Sequence, residues 1–259
     1  VATDREFEQC RKVFGAATRI RNSYFAEALA EERVYDVVLL QMSGRSNAPA
    51  QAAARRMMED FRPEYIFLIG TSGGILEDNG NGRDGSKLGD VVVADYIQYV
   101  ELMKVSNGNL LPRHAAIDHP SHDLQAGFVH GLRHEGTWPQ YIGVEPPGKA
   151  DPTAHSGTIA VGEKIYGDAD SEFQKMVFKE AGKALAVEME SYGVARAIYE
   201  FRRVDYSPQY LTIRGISDFA NAPDADEVRD SWTSYAASAA ASFAKSVVGA
   251  ILAEPDEDT

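Results

Sequence analysis

Runs of apolar residues alternate with helix-forming segments along most of the chain. Residues 34–42 (VYDVVLLQM) are rich in β-branched and aliphatic side chains and end at Ser43-Gly44, which predicts a buried strand. Residues 48–61 are Ala-rich with Met and Phe at helical spacing, and Arg62-Pro63 stops the helix they predict. Residues 65–69 (YIFLI) form a second wholly apolar strand. A strand, a helix and a strand with apolar strands imply a parallel sheet covered on both faces. Further strands are predicted at 91–94, 157–161, 184–187 and 210–216, and further helices at 171–181, from 188 to 199 and at 233–252. The fold class is therefore α/β: a single domain over residues 1–252, with a central mixed, largely parallel sheet flanked by helices. Residues 77–87 read as a polar Gly-rich loop. Residues 106–156, which hold most of the prolines and some helix near 121–134, read as an insertion, and residues 253–259 as an acidic tail.

Composition narrows the function. A chain of 259 residues suits one large domain better than two small ones. The net charge of −13 disfavours general nucleic-acid binding, which needs a positive face, and also disfavours anionic membranes. A small anionic ligand stays possible, because one local cluster of Arg or backbone N–H groups holds it. The single cysteine, Cys10, forms no internal disulfide and reads as a buried structural thiol in a reducing, cytoplasmic setting. No apolar run approaches the ~20 residues of a membrane span, and there is no signal peptide. The chain starts at Val1-Ala2-Thr3, without Met.

Three segments carry chemistry. In Ile69-Gly70-Thr71-Ser72-Gly73-Gly74, glycines just past a strand let backbone N–H groups approach a ligand, and the hydroxyls of Thr71 and Ser72 add donors. A plain tight turn is the alternative. In Val187-Glu188-Met189-Glu190-Ser191, two carboxylates stand at a strand end. A carboxylate there accepts hydrogen bonds from the two hydroxyls of a sugar diol, or simply favours a helix start. In Ile213-Arg214-Gly215-Ile216-Ser217-Asp218, the aspartate stands at the carboxyl end of an apolar strand, where α/β folds present catalytic groups; an N-cap is the alternative.

Together with LGDVVVAD, these segments resemble in order and spacing the motifs of the purine nucleoside phosphorylase and methylthioadenosine/S-adenosylhomocysteine nucleosidase superfamily. The resemblance covers nearly the whole chain. HSGTIAVGEKI and SWTSYAASAAASFAK look like the sub-branch found as domains of larger signalling or defence proteins. The resemblance implies cleavage of the N-glycosidic bond of a purine nucleoside or nucleotide. It makes Asp218 the acid that protonates N7, Glu190 the group on the ribose hydroxyls, and Met189 the residue packed against the sugar. Glu188 supports its segment. Glu6, with Glu8 as the fallback, takes the place of the glutamate that activates water. Ile165 and Tyr166 lie near the base, with core packing as the alternative for Ile165, and Gly70, Thr71, Ser72, Gly73 and Ser217 complete the substrate contacts. The resemblance also implies that most of the first strand lies before Val1, so a fragment, a trimmed chain or a domain with an upstream part is expected.

Hydrolysis is favoured over phosphorolysis, because Leu68 stands where the hexameric phosphorylases carry an Arg, and a phosphate dianion without Arg or Lys is poorly held. Asp at 218 suits a 6-amino purine such as adenine. For the 5′ side the cationic candidates are Arg45, Arg113, His114, His119, His122, Arg133 and His134, against the alternative that they are surface charges. Neither a cofactor nor a metal is expected. Homo-oligomers are expected, because the apolar and Ala-rich helices exceed the needs of one core. The competing functions are a phosphorolytic transferase and a nucleoside-sensing domain without turnover. An intact Glu6, Glu190 and Asp218 set argues against the sensor.

Overall fold

The computed structural model describes residues 1–20, 23–30, 33–113 and 116–253. The first half holds α1 (Asp4–Phe14), β1 (Thr18–Ile20), β2 (Ser23–Ala30), β3 (Arg33–Leu40), α2 (Asn47–Phe61), β4 (Tyr65–Gly74) and β5 (Val91–Tyr99). Then come β6 (Met103–Ser106), β7 (Asn109–Pro112), β8 (Ala116–Asp118), α3 (His122–Leu124), α4 (His130–Glu135) and β9 (Ala154–Val161). The last part holds α5 (Glu172–Glu180), β10 (Ala184–Glu188), α6 (Ser191–Phe201), β11 (Gln209–Phe219) and α7 (Ala225–Ala253).

The central sheet runs β11-β4-β10-β9-β5-β8, and β11 also pairs with β5, so five of its strands close on themselves. The long ladders are parallel: β4 with β11, β5 with β9, and β9 with β10. The antiparallel pairings β4–β10, β5–β8 and β5–β11 are two or three residues each. This is the mixed, largely parallel sheet that the apolar runs predict. Such strands are buried on both faces, and Val91, Val92, Val93 and Ala94 are fully inaccessible.

The structure departs from the sequence reading at the start of the chain. The segment at 34–42 is a strand, but it does not join the central sheet. As β3 it pairs antiparallel with β2 along its whole length, in a separate three-stranded sheet. Of its described side chains only Leu39 is buried, and Asp36 is exposed. An apolar run shows that a strand is covered, not which neighbour it pairs with. Helix α1 was not anticipated, and its face of Phe7, Cys10 and Val13 enters the same core cluster as α7. Cys10 is a buried free thiol, its pKa pushed up to about 12 by burial.

Helix α7 is longer than its pattern indicated, beginning at Ala225 rather than near 233. Its alanines face inward, with Ala236, Ala237, Ala239, Ala240 and Ala241 fully buried. They let the helix lie close on β11. A Cβ on Gly215 would stand 2.0 Å from the Ala236 carbonyl oxygen, so only glycine fits there. The stretch read as an insertion is tied into this core: Leu124, Val129, Leu132 and Trp138 belong to the same cluster, and Trp138 meets Phe243 edge-on at 5.6 Å. Two loops are pinned by polar side chains, the buried Asp90 and the half-buried Arg83. Asp90 accepts hydrogen bonds from the N–H groups of Lys87 and Thr153 and pairs with His155 Nε2 at 2.9 Å. Arg83 donates to the carbonyls of Ala181, Ala184 and Phe178.

Candidate active site

The segments around β4, the β10–α6 junction and the end of β11 meet α1 at a cleft of about 650 Å³. Its walls include Glu6, Thr71, Ser72, Gly73, Ile165, Tyr166, Glu188, Met189, Glu190, Ser217 and Asp218. These side chains lie more than two hundred residues apart at the extremes, and parallel strands ending on one side bring them together.

Glu6 is held by both ends of its carboxylate. Oε1 accepts from the Thr71 N–H at 2.7 Å and the Thr71 hydroxyl at 2.8 Å. Oε2 accepts from the Thr3 N–H at 2.9 Å and the Thr3 hydroxyl at 2.8 Å. The second pair belongs to a capping box in which Thr3 starts α1 and Glu6 is its third residue. Burial works to raise the Glu6 pKa, but Arg214 and the threonine hydrogen bonds override it and leave the carboxyl below its ordinary value. The Thr71 donors thus serve Glu6 rather than opening directly into the cleft. Ser72 differs: its hydroxyl is buried in the cleft wall and finds no partner.

Arg214 organises the other carboxylates. It is fully buried in β11, pairs closely with Glu188, and reaches Glu190 Oε2 at 3.2 Å. Glu188 also accepts from the N–H groups of Glu190 and Ser191 at 3.0 Å, which fixes the start of α6. Glu190 accepts the Ser46 N–H at 3.1 Å through its other oxygen. Gly70 makes this packing possible. A Cβ there would lie 2.2 Å from Arg214 Nη1 and 2.9 Å from Glu6 Oε1. The strand does not turn at Gly70, as the glycines suggested, but runs on to Gly74, and Gly70 is not among the residues lining the cleft.

Burial pushes the Glu190 pKa up to about 7; Arg214 opposes the shift and Glu188 adds to it. In the role on a sugar diol that the sequence implies for Glu190, only the carboxylate accepts from both hydroxyls, so the limb of kcat/KM that it governs is expected to rise through about pH 7, with loss of the Asp218 proton bending the profile down on the alkaline side. Stability moves the other way. With its folded pKa raised, the Glu190 contribution is greatest below the unfolded value of 4.5 and is lost as pH rises through about 7. Rate profiles and thermal melts between pH 4.5 and 8.5 check both, and a Glu190→Gln variant should lack the limb in each.

Asp218 lies in β11 rather than at a helix cap. Its register with β4 slips between Ile216 and Asp218, which aligns it with Gly73. Oδ1 accepts from the Ser217 hydroxyl at 2.7 Å and from Arg229 Nε at 3.1 Å, and Oδ2 from Arg229 Nη2 at 2.9 Å. Burial raises the Asp218 pKa against the pull of Arg229 and Ser217, the direction a proton donor needs. Arg229 is also held by Asp226 and by the Tyr166 carbonyl. Ser217 serves the acid, donating to it from the floor of the cleft.

Ile165 and Tyr166 exchange the roles weighed for them. Ile165 is exposed at the cleft, whereas Tyr166 is buried, its ring against Phe178 and its hydroxyl donated to Glu101 at 2.7 Å. Met189 is half-buried in the wall between the two glutamates. Glu8 is exposed, pairs with Lys12 and lies outside this cleft. Of the cationic candidates for the 5′ side, only Arg45 lines the cleft; Arg113, His119, His122, Arg133 and His134 do not, and His114 lies outside the described residues. Leu68 is packed in the core.

Two arginines were missed as site residues. Arg214 carried a readable signal: a charged residue inside YLTIRGIS must find buried acids, and the VEMES segment supplies them. Thr3-x-x-Glu6 likewise carries the capping-box spacing. Arg229 gave none, since its i,i+3 relation to Asp226 accounts for it locally.

The phosphorylase superfamily model matches residues 6–253. A death domain-containing ATP nucleosidase of Amphimedon queenslandica is 25% identical over 210 residues, 77% of this chain. The chain spans only 36% of that relative's length. A 5′-methylthioadenosine/S-adenosylhomocysteine nucleosidase of Listeria monocytogenes is 27% identical over 189 residues, covering 72% of this chain and 70% of the relative. Among solved structures, futalosine hydrolase of Helicobacter pylori superimposes with a TM-score of 0.67 at 22% identity, covering 95% of this chain and 94% of that one. A Borrelia burgdorferi chain, described as a nucleosidase of the methylthioadenosine type bound to adenine, gives 0.71 at 18%, with 95% and 96% covered. At those identities the structures show the fold alone. The family match spans nearly the whole chain and takes in Glu6, Glu188, Glu190 and Asp218 of the cleft, so the chain belongs to the phosphorylase superfamily.

Proposed function

We propose that this chain hydrolyses the N-glycosidic bond of an adenine nucleoside or nucleotide. The observation that carries the reading is the convergence of Glu6, Glu190 and Asp218 on one cleft, with the buried Arg214 committed to carboxylates. The activities of the two sequence relatives support it: one is an ATP nucleosidase and the other a 5′-methylthioadenosine/S-adenosylhomocysteine nucleosidase.

Asp218 in its acid form gives N7 a proton, so the base leaves as a neutral purine. The carboxylate of Glu190 accepts from the ribose hydroxyls, and its charge favours the cationic sugar more as the bond stretches, a gain realised in the transition state. Glu6 holds the water. Its two oxygens are filled by threonine donors, so one hydroxyl, of Thr71 or Thr3, rotates away to free a lone pair. A carboxylate of low pKa suffices there, because the water proton becomes acidic as its oxygen bonds to C1′. Ser72, with its unpartnered hydroxyl, is placed to add a contact to the water or sugar.

Glu6→Gln is expected to lower hydrolysis by about two to four orders of magnitude, without rescue by added phosphate. Chromatography of free base and sugar checks it, and ribose 1-phosphate formed in proportion to phosphate would replace this reading with phosphorolysis.

The reading includes a homo-oligomer in a reducing, cytoplasmic compartment. The alanines of α7 are used within the chain, so the support for assembly lies elsewhere: Leu102, Val105, Leu110, Leu111 and Ile117, on or beside the β6–β7 hairpin, are exposed. Light scattering at micromolar concentration is expected to give at least twice the 28.3 kDa chain mass. A monomer counts against it.

A further inference from the structure

Four cationic side chains line the cleft: Arg5, Arg45, Lys164 and Arg229. Three are engaged. Arg5 donates to the Asp230 carbonyl at 3.2 Å, Lys164 pairs with Glu101, and Arg229 with Asp218 and Asp226. Arg45 alone has no hydrogen bond, ion pair or ring contact among the described residues, and it is exposed.

Its position is specific. Arg45 directly precedes Ser46, whose N–H fixes the Glu190 carboxylate. With Glu190 on the ribose diol and Asp218 on the base, the 5′ carbon hangs from C4′, next to the 3′ hydroxyl and at the end of the sugar away from the base. The segment Ser43-Gly44-Arg45 lines the cleft and is tied to the diol-binding carboxylate through the next residue, Ser46. We infer that the substrate is a 5′-phosphorylated purine nucleoside and that Arg45 is the residue that reads its phosphate. The inference rests on the hydrolase reading above and narrows its substrate class.

The chemistry favours this assignment over an apolar 5′ group. A guanidinium presents paired N–H donors that match a phosphate in a bidentate way. A thioether or methyl group laid over it would take water from the cation and return no partner, which costs free energy. The chain carries a net charge of −13, which repels a nucleotide at long range, so a local free cation is needed to hold one. The first turn of α2, which follows Arg45, contains no acidic residue, and the carboxylates that reach this segment from other elements are engaged by other donors, Glu190 by the Ser46 N–H and Glu163 by the Asn47 side chain. The reaction leaves the phosphate ester intact. Water oxygen bonds to C1′, the C1′–N9 pair leaves with the base, Asp218 supplies the N7 proton and Glu6 takes the proton from water. The products are free base and ribose 5-phosphate.

Adenine release from adenosine, 5′-methylthioadenosine, AMP and ATP, with and without inorganic phosphate, tests it. AMP is expected to exceed adenosine in kcat/KM by about 10- to 100-fold, the scale of a charge-assisted contact. Salt should narrow the gap. Arg45→Ala is expected to lower the AMP-to-adenosine ratio by at least about tenfold, chiefly through KM, and Arg45→Lys to restore part of it. His122→Ala, outside the cleft, should keep the ratio. Arg45 is exposed, so its variants should melt as the wild type does, and a melt confirms that each is folded. A preference for adenosine or methylthioadenosine, or an unchanged ratio in Arg45→Ala, overturns the inference while leaving the hydrolase reading in place. Phosphate-stimulated adenosine cleavage that yields ribose 1-phosphate assigns Arg45 to free phosphate and overturns it as well. Adenine from none of the four overturns the hydrolase reading itself.

Discussion

Replacing Asp218 with asparagine is expected to lower kcat by about two to four orders of magnitude while adenine and substrate still bind, the usual scale for losing a positioned acid. The amide keeps the shape and the carbonyl acceptor but has no acidic proton for N7. Asp218 is buried at the end of β11; asparagine still accepts from Arg229 Nε through its one oxygen, but its amide NH2 opposes Arg229 Nη2, so binding is measured beside the rate. In the free protein, Arg229 and Ser217 together occupy both oxygens of Asp218. The purine edge therefore reaches the acid only when Arg229 yields one of them. Single-turnover release of adenine measures the chemical step, and calorimetric titration with adenine measures binding. Full activity in this variant removes Asp218 from the mechanism.

Arg214→Leu has the largest combined effect. It strips the guanidinium from Glu188 and Glu190 and removes the positive charge that holds the Glu6 pKa down. Breaking a buried ion pair from one side costs about 3–5 kcal/mol, which for a chain of this size lowers the melting midpoint by roughly 6–20 °C. Activity falls further than stability alone explains, because Glu190 loses the partner that favours its charged form. The pH profile separates the two effects. In Arg214→Lys, which keeps a charge but not the planar fork, the rising limb assigned to Glu190 should shift to higher pH than in the wild type. A wild-type melt and an unshifted limb would show that Arg214 holds neither carboxylate.

The sequence by itself determined the class of fold and marked three of the segments that meet at the cleft. Apolar runs ending in Gly70–Gly74, Glu188–Ser191 and Ile213–Asp218 mark strands covered on both faces, and such strands present their carboxyl ends on one side. Those signals are local, so period, composition and the residue at a strand end are enough to read them. What only the tertiary structure decided is pairing. It put β3 against β2 instead of the central sheet, and it closed that sheet through β11 and β5. It buried the Tyr166 ring against Phe178 and left Ile165 exposed at the cleft, and of the described cationic candidates between 45 and 134 it put only Arg45 in the cleft wall. It also gave Thr71 to Glu6, Arg214 to two glutamates and Arg229 to the acid. Each of these joins groups far apart in the chain. Which partner a buried charge or a strand edge takes depends on which groups the closed sheet brings within a few ångströms, and no spacing along the chain encodes that distance.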